Sequence, residues 1–296
     1  MKVTALAAAL SIIGIMLLLF LAMGWKSGLT IQRFGLGFLF SQEWNPVTGR
    51  FGALSSIYGS IVSTLIAMVL AVPVSLLSAF FLVEIAPDWL ERPLSQGIEL
   101  LAAVPSIIYG MWGLFVFAPL MSRYVQPFLK AHFGLWGLFD GPPMGIGMLS
   151  AGIILALMIL PFITSMTRDV LKMVPSSLRE SAYGMGATPW EATRGITLRY
   201  GMDGVIGGLF LGLGRALGET MAVTFVIGNN HRIFASLFKP ANTIASTLAN
   251  EFSEASDPVY LSALTEMGLV LLCMSFIVQI VASLWLRRLH RQWEGR

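Results

Sequence analysis

Residues Pro175–Arg199, PSSLRESAYGMGATPWEATRGITLR, decide how this chain is read. They form the one long polar interruption in the second half of an otherwise apolar sequence. Ser177 and Glu180 are spaced as a capping box, and so are Thr188 and Glu191. In such a box a hydroxyl at the helix start accepts a backbone N–H while the acid three residues on reaches back. Pro189 follows the second cap, where its missing N–H costs nothing. Gly184 and Gly186 lie where the first helix should stop. The stretch is expected to fold as helix–turn–helix, a shaped surface between two membrane spans rather than a slack tether.

The flanks of this stretch set the fold class. The 296 residues are 56% hydrophobic and only 12% charged, about half the charge of a soluble domain. Several apolar runs reach the roughly 20 residues that cross a bilayer as a helix. The expected architecture is an all-α membrane protein with six transmembrane helices, at 5–23, 57–83, 98–120, 146–167, 204–228 and 263–286. The first run is longer than the apolar part of a signal peptide and lacks an A-x-A cleavage site, so it reads as a retained span.

Residues 25–55 mix Trp25, Phe34, Phe38, Phe40, Trp44 and Phe51 with Lys26, Arg33, Glu43 and Arg50. Such a mixture suits the outer membrane interface. Pro73, Pro105 and Pro161 fall inside spans and act there as hinges or as static kinks. Residues 84–92 read as a short acidic turn, 122–145 as an outer loop, and 229–262 as an outer segment folded against the membrane.

Charge orients the chain. With the N-terminus inside, eleven of the nineteen Lys and Arg face the cytoplasm: Lys2, Arg92, five in 168–199 and four in the C-terminal tail. Seven fall in the longer outer loops. Both termini are therefore expected in the cytoplasm. The net charge of +3 reflects this topology and does not call for a nucleic-acid partner. The single Cys273 excludes an internal disulfide and reads as a small hydrophobe. His132, His231 and His290 are scattered, without Cys or paired acids at ligand spacing, so no metal site is expected. No G-x-x-x-x-G-K-[ST] phosphate loop occurs, so a nucleotide that powered this chain would be bound by another one.

Charges inside a span are costly and mark functional sites. Arg215 and Glu219, four apart in the fifth span, are expected on one helical face, near Gly204, Gly208, Gly212 and Ala222. Two readings stand. The pair locks or gates the helices, or Arg215 attracts an anion that Glu219 orients; a planar, forked guanidinium suits phosphate-like oxyanions. Arg168 and Asp169 close the fourth span as interfacial charges, with Arg168 the candidate for the inner mouth of a path. Glu99 is placed at the membrane edge.

Glu180, Ala182, Gly186, Ile196 and Leu198 fall on the EAA-x3-G-x9-I-x-LP spacing of permease subunits of bacterial ABC importers, with Ser181 at the second position and Arg199 in place of the proline. The runs at Glu99–Leu120, Arg179–Glu191 and Gly212–Asn229 resemble the PstC-type permeases of phosphate-specific importers. The similarity extends from about Phe34 onward. It implies a type I ABC importer permease fold in the inner membrane, with a transmembrane core at 56–290, a coupling loop at 168–203, a first helix and interfacial segment at 1–55, and a tail at 291–296. It implies a heterodimer with a PstA-type sister permease, a PstB-type ATPase dimer that holds the ATP, and a periplasmic PstS-type phosphate-binding protein. Arg215 and Glu219 match the Arg and Glu associated with transport in that family, and Glu180, Ser181, Ala182 and Gly186 match the ATPase-coupling positions. The expected function is phosphate import by alternating access, with no enzymatic step on this chain. The alternatives are another oxyanion, sulfate or molybdate, and a stand-alone secondary transporter.

Overall fold

Proline and glycine decide which apolar runs hold as single helices and which break. The computed structural model describes residues 2–134 and 137–294. The helices are α1 Lys2–Lys26, α2 Gly28–Phe34, α3 Gly37–Phe40, α4 Leu54–Phe80, α5 Asp88–Ala103, α6 Ser106–Phe133, α7 Met148–Lys172, α8 Ser176–Gly184, α9 Trp190–Leu217, α10 Met221–Ile227, α11 Ile244–Glu251 and α12 Pro258–Glu294. The backbone of α12 carries Arg287, Arg288, His290 and Arg291, whose side chains lie outside the described set. Residues 295 and 296 of the expected tail lie outside the described residues.

Four helices, α1, α4, α7 and α12, are each long and apolar enough to cross a membrane. Two bent pairs, α5 with α6 and α9 with α10, bring the number of candidate spans to six when each pair is counted as one span. The expected third span, 98–120, is thus not one helix: α5 and α6 meet at 89°. Pro105 disfavours a helical residue before it, and Val104 is extended with ψ 129°. The Tyr109 hydroxyl crosses the break and donates at 3.0 Å to the Leu101 carbonyl, which also accepts the Val104 amide at 3.3 Å. The α6 rod then runs through two π turns to Phe133, so the outer loop expected from 122 starts later. Pro73 and Pro161, by contrast, lie inside continuous helices.

The polar stretch 168–203 is largely helical. Its second helix runs without interruption into the fifth span, so residues 190–203 belong to α9. That span bends by 57° around Gly218–Thr220.

The central helix is α7. Ile154, Leu155, Ile159 and Ile163 are fully buried in one cluster with Ala67 and Ala71 of α4, Ala216 of α9, and Val223, Val226 and Ile227 of α10. Small residues allow the helices to approach closely. A Cβ on Gly212 would come within 2.7 Å of Ile163, and one on Gly204 within 2.7 Å of Val170. At the periphery, α1 packs on α12 and α2. Its apolar stretch is otherwise open to lipid or to another chain.

Candidate translocation face and cytoplasmic lever

The stripe Gly204, Gly208, Gly212 and Ala216 is the face of α9 that packs on α7. Arg215 lies off that stripe and is exposed. Its guanidinium stands 5.7 Å from the centroid of the Phe162 ring of α7, a cation–π contact that seats the charge beside an aromatic wall.

The expectation that Arg215 and Glu219 share a helical face does not hold. α9 ends at Leu217, and Glu219 lies in the break. Among the described residues the two make no ion pair. Instead the Glu219 carboxylate accepts the Ala222 amide at 3.2 Å, serving one of the first unpaired N–H groups of α10. Each charge complements a helix end: the cation is in the last turn of α9, the acid at the start of α10. Across the break, α10 packs against α6. A Cβ on Gly110 would sit 2.9 Å from the Met221 carbonyl and 2.7 Å from Phe225, so only glycine admits this approach.

Among the described residues, the end of the bundle that carries α8 holds Arg168, Lys172 and Arg179 in ion pairs. Arg168 is 8% exposed. It donates to Glu99 of α5 at 2.7 Å, and to its neighbour Asp169 at 2.8 and 3.1 Å. Glu99, expected as an edge residue, is thus a partner of α7. Lys172 pairs with Glu91, also of α5.

In the polar loop, Thr188 and Glu191 make the expected capping box: the Thr188 amide donates to Glu191 at 2.8 Å, and the Glu191 amide to the Thr188 hydroxyl at 3.3 Å. The first box is absent. Helix α8 begins at Ser176 behind Pro175, two residues before a cap at Ser177 would start it, so Ser177 is already inside the helix. The helix stops as expected, with Gly186 at φ 87°. The Gly186 amide bonds to the Tyr183 carbonyl and the Ala187 amide to that of Ala182, the paired bonds of a Schellman ending.

Glu180, Ser181 and Gly186 are exposed, as is Met185 at 82%. Ala182 is buried and faces into the chain. Arg179 ties α8 to the membrane bundle. It donates to the Leu171 carbonyl of α7 at 2.7 Å and pairs with Glu84, after α4, at 3.5 Å. Trp190 adds an edge-to-face contact with Phe80 at 5.7 Å.

A further cluster unites residues that are far apart in sequence. His231 stacks on Trp44, with centroids 5.3 Å apart. Glu251 accepts from Trp44 at 2.6 Å and from the Tyr260 hydroxyl at 2.6 Å, and pairs with His231 at 2.9 Å. Asn242 joins His231 to Ser56 of α4. Burial pushes the Glu251 carboxyl up, but the hydrogen bonds from His231, Tyr260 and Trp44 and the charge of His231 outweigh it, so its pKa lies below the ordinary value. Trp44 and His231 line a cleft of about 670 Å³ that also holds Arg50, Asn230 and Arg232. The sequence signal for this cluster was slight: Trp44 read as an interfacial aromatic and His231 as one of three scattered histidines.

Comparison with known proteins follows the same lines. Residues 71–294 match the family described as binding-protein-dependent transport system inner membrane component. The chain is 54% identical over 276 residues to the phosphate transport system permease protein PstC of Xylella fastidiosa (strain 9a5c), covering 92% of this chain and 85% of that protein. It is 51% identical to the PstC of Mesorhizobium japonicum, over 97% of this chain and 89% of the relative. It is 38% identical to a probable PstC of Methanocaldococcus jannaschii, over 87% and 84%. Among solved structures, an inward-facing methionine ABC transporter, MetNI, aligns with a TM-score of 0.55 at 18% identity, covering 82% of this chain and 94% of that one. That likeness supports the fold. The chain belongs to the family of binding-protein-dependent transport system inner membrane components, and within it to the PstC-type permeases.

Proposed function

We propose that this chain is the membrane-spanning permease subunit of an ATP-driven importer that carries inorganic phosphate into the cytoplasm by alternating access. The observation that carries the reading is Arg215: an exposed guanidinium at the break of a membrane helix, without an ion-pair partner among the described residues. Such a charge is costly in lipid and calls for a wet path or an anion. The similarity to phosphate permeases supports the same assignment.

In this reading the chain pairs with a PstA-type sister permease, which covers the Arg215 face. A PstB-type ATPase dimer binds the ATP and docks on α8 and the turn after it, at Glu180, Ser181, Ala182 and Gly186. A PstS-type binding protein delivers phosphate from the periplasm to the outer loops. Both termini lie in the cytoplasm, and the membrane is the bacterial inner membrane. ATP binding closes the ATPase and moves α8, opening the path outward; hydrolysis resets it inward. Arg215 supplies local positive potential on the way, and Arg168 stands at the inner mouth. The chain binds no cofactor of its own and catalyses no covalent step.

Reconstitution of the four components in liposomes tests this. Labelled phosphate should accumulate only when ATP and the binding protein are present. Sulfate or molybdate uptake without phosphate uptake would overturn the substrate. Uptake by this chain alone, driven by an ion gradient and indifferent to ATP, would overturn the mechanism.

A further inference from the structure

The ion pairs at the inner end form one continuous connection between the polar loop and the pathway helix. It begins at α8, where Arg179 grips the Leu171 carbonyl and Glu84. One turn before Leu171, Arg168 leaves the same helix, α7, and holds Glu99 at 2.7 Å. Glu99 lies on α5, five residues before Val104, the first residue of the break. Beyond the break, α6 presses Gly110 against the start of α10, whose first turn is capped by Glu219.

The hinge itself is weakly held. Pro105 contributes no amide, and among the described residues a single side-chain bond, from Tyr109 to the Leu101 carbonyl, crosses the break. An arm on such a hinge takes its angle from whatever grips it elsewhere. On α5 those grips are Lys172 on Glu91 and Arg168 on Glu99. The two differ in setting. The Lys172 side chain is 47% exposed, whereas that of Arg168 is 9% exposed and already held by Asp169. Exposed cations hold little, whereas the Arg168 guanidinium is buried and anchored through two nitrogens to Asp169, which fixes where its single bond to Glu99 is made.

We propose that Arg168 is a positioning residue for transport: its contact with Glu99 passes movement of α8 and α7 to the α5 arm, and through the Pro105 hinge to the α6–α10 contact beside Arg215. Arg168 touches neither the ATPase nor the substrate in this role. The inference rests on the proposed function of an ATP-coupled importer and adds the residue pair that conveys the stroke.

Charge placement makes the pair testable without wrecking the fold. In Glu99→Gln, Arg168 keeps Asp169. In Arg168→Gln, the carboxylates left behind are already 56% and 60% exposed, so neither is stranded in apolar surroundings.

The assembled importer in proteoliposomes is the system to use, with uptake and ATP hydrolysis measured together and uptake followed with whichever oxyanion the wild-type complex carries. A failure of phosphate selectivity would thus strike the functional reading and leave this test intact. We expect Glu99→Gln and Arg168→Gln each to lower the ions carried per ATP by about tenfold while assembly and ATP hydrolysis persist, with Glu99→Asp recovering part of the loss. The double variant should be no worse than the more severe single one, because both remove the same contact. The proposal is overturned by unchanged coupling in the single variants, by losses that multiply in the double variant, or by failure of both single variants to assemble, which would make the pair a folding element only.

Discussion

The carboxylate of Glu219 accepts a hydrogen bond from the amide of Ala222 at 3.2 Å, across the start of α10. The acid thereby belongs with α10, and Arg215, four residues earlier, with the last turn of α9. The bond makes a direct distinction between charge and hydrogen bonding. Glu219→Gln keeps an acceptor and should hold α10 in place, whereas Glu219→Ala loses the cap and about 1 kcal/mol. Thermal unfolding of the assembled complex should separate the two, with Gln near wild type. Equal loss in both variants would show that the negative charge itself is what matters.

Tyr109→Phe removes the hydroxyl that serves the Leu101 carbonyl across the Pro105 break. The expected cost is about 0.5–1.5 kcal/mol, since the Val104 amide still donates to that carbonyl at 3.3 Å. Hydrogen exchange should show faster opening of the residues around 101–109, with the rest of α6 unaffected.

The polar loop offers a local test of stiffness. Gly186 has φ 87°, a conformation that an alanine adopts only under strain. Gly186→Ala should destabilise the end of α8 by about 1 kcal/mol or more. Thr188→Ala removes the capping-box hydroxyl at a similar cost of about 1 kcal/mol. Both should lower uptake per ATP while leaving ATP hydrolysis by the assembled complex measurable. Unaltered coupling in both would remove the lever role from this loop.

The outer cluster predicts a pH limb. The pKa of Glu251 is depressed below its ordinary value of 4.5, so its contribution to stability is present above that pH and is lost as pH falls through the lowered folded value. Unfolding midpoints followed downward from neutral pH should fall on the acid side in the wild type. Glu251→Gln should be less stable at neutral pH and should flatten that limb. A limb of undiminished steepness in Glu251→Gln would assign it to other carboxylates.

What could be read from the residues and what could not divides by range. Thr188 with Glu191, and the stop at Gly186, are contacts within five residues, and they stand as the spacing predicts. Ser177 with Glu180 has the same spacing and fails, because Pro175 starts the helix two residues too early for a cap at Ser177. Six spans follow from apolar length alone. Their two breaks do not, since Pro73 and Pro161 remain in continuous helices while Pro105 divides its span. The place of Glu219 depends on Gly110, more than a hundred residues earlier, lying against Met221. Arg168 with Glu99, and Trp44 with His231 and Glu251, likewise join segments that no local pattern connects. Ala182 matches its motif by position and is nevertheless buried.

Arg215→Gln in the complete importer tests the central claim most directly. Gln keeps a polar side chain and removes the charge that faces the proposed path. With the binding protein, sister permease and ATPase present in proteoliposomes, the account predicts an assembled complex whose phosphate uptake falls by at least about tenfold, with Arg215→Lys intermediate because it keeps the charge without the planar fork. Wild-type phosphate uptake by the assembled Arg215→Gln complex would contradict it.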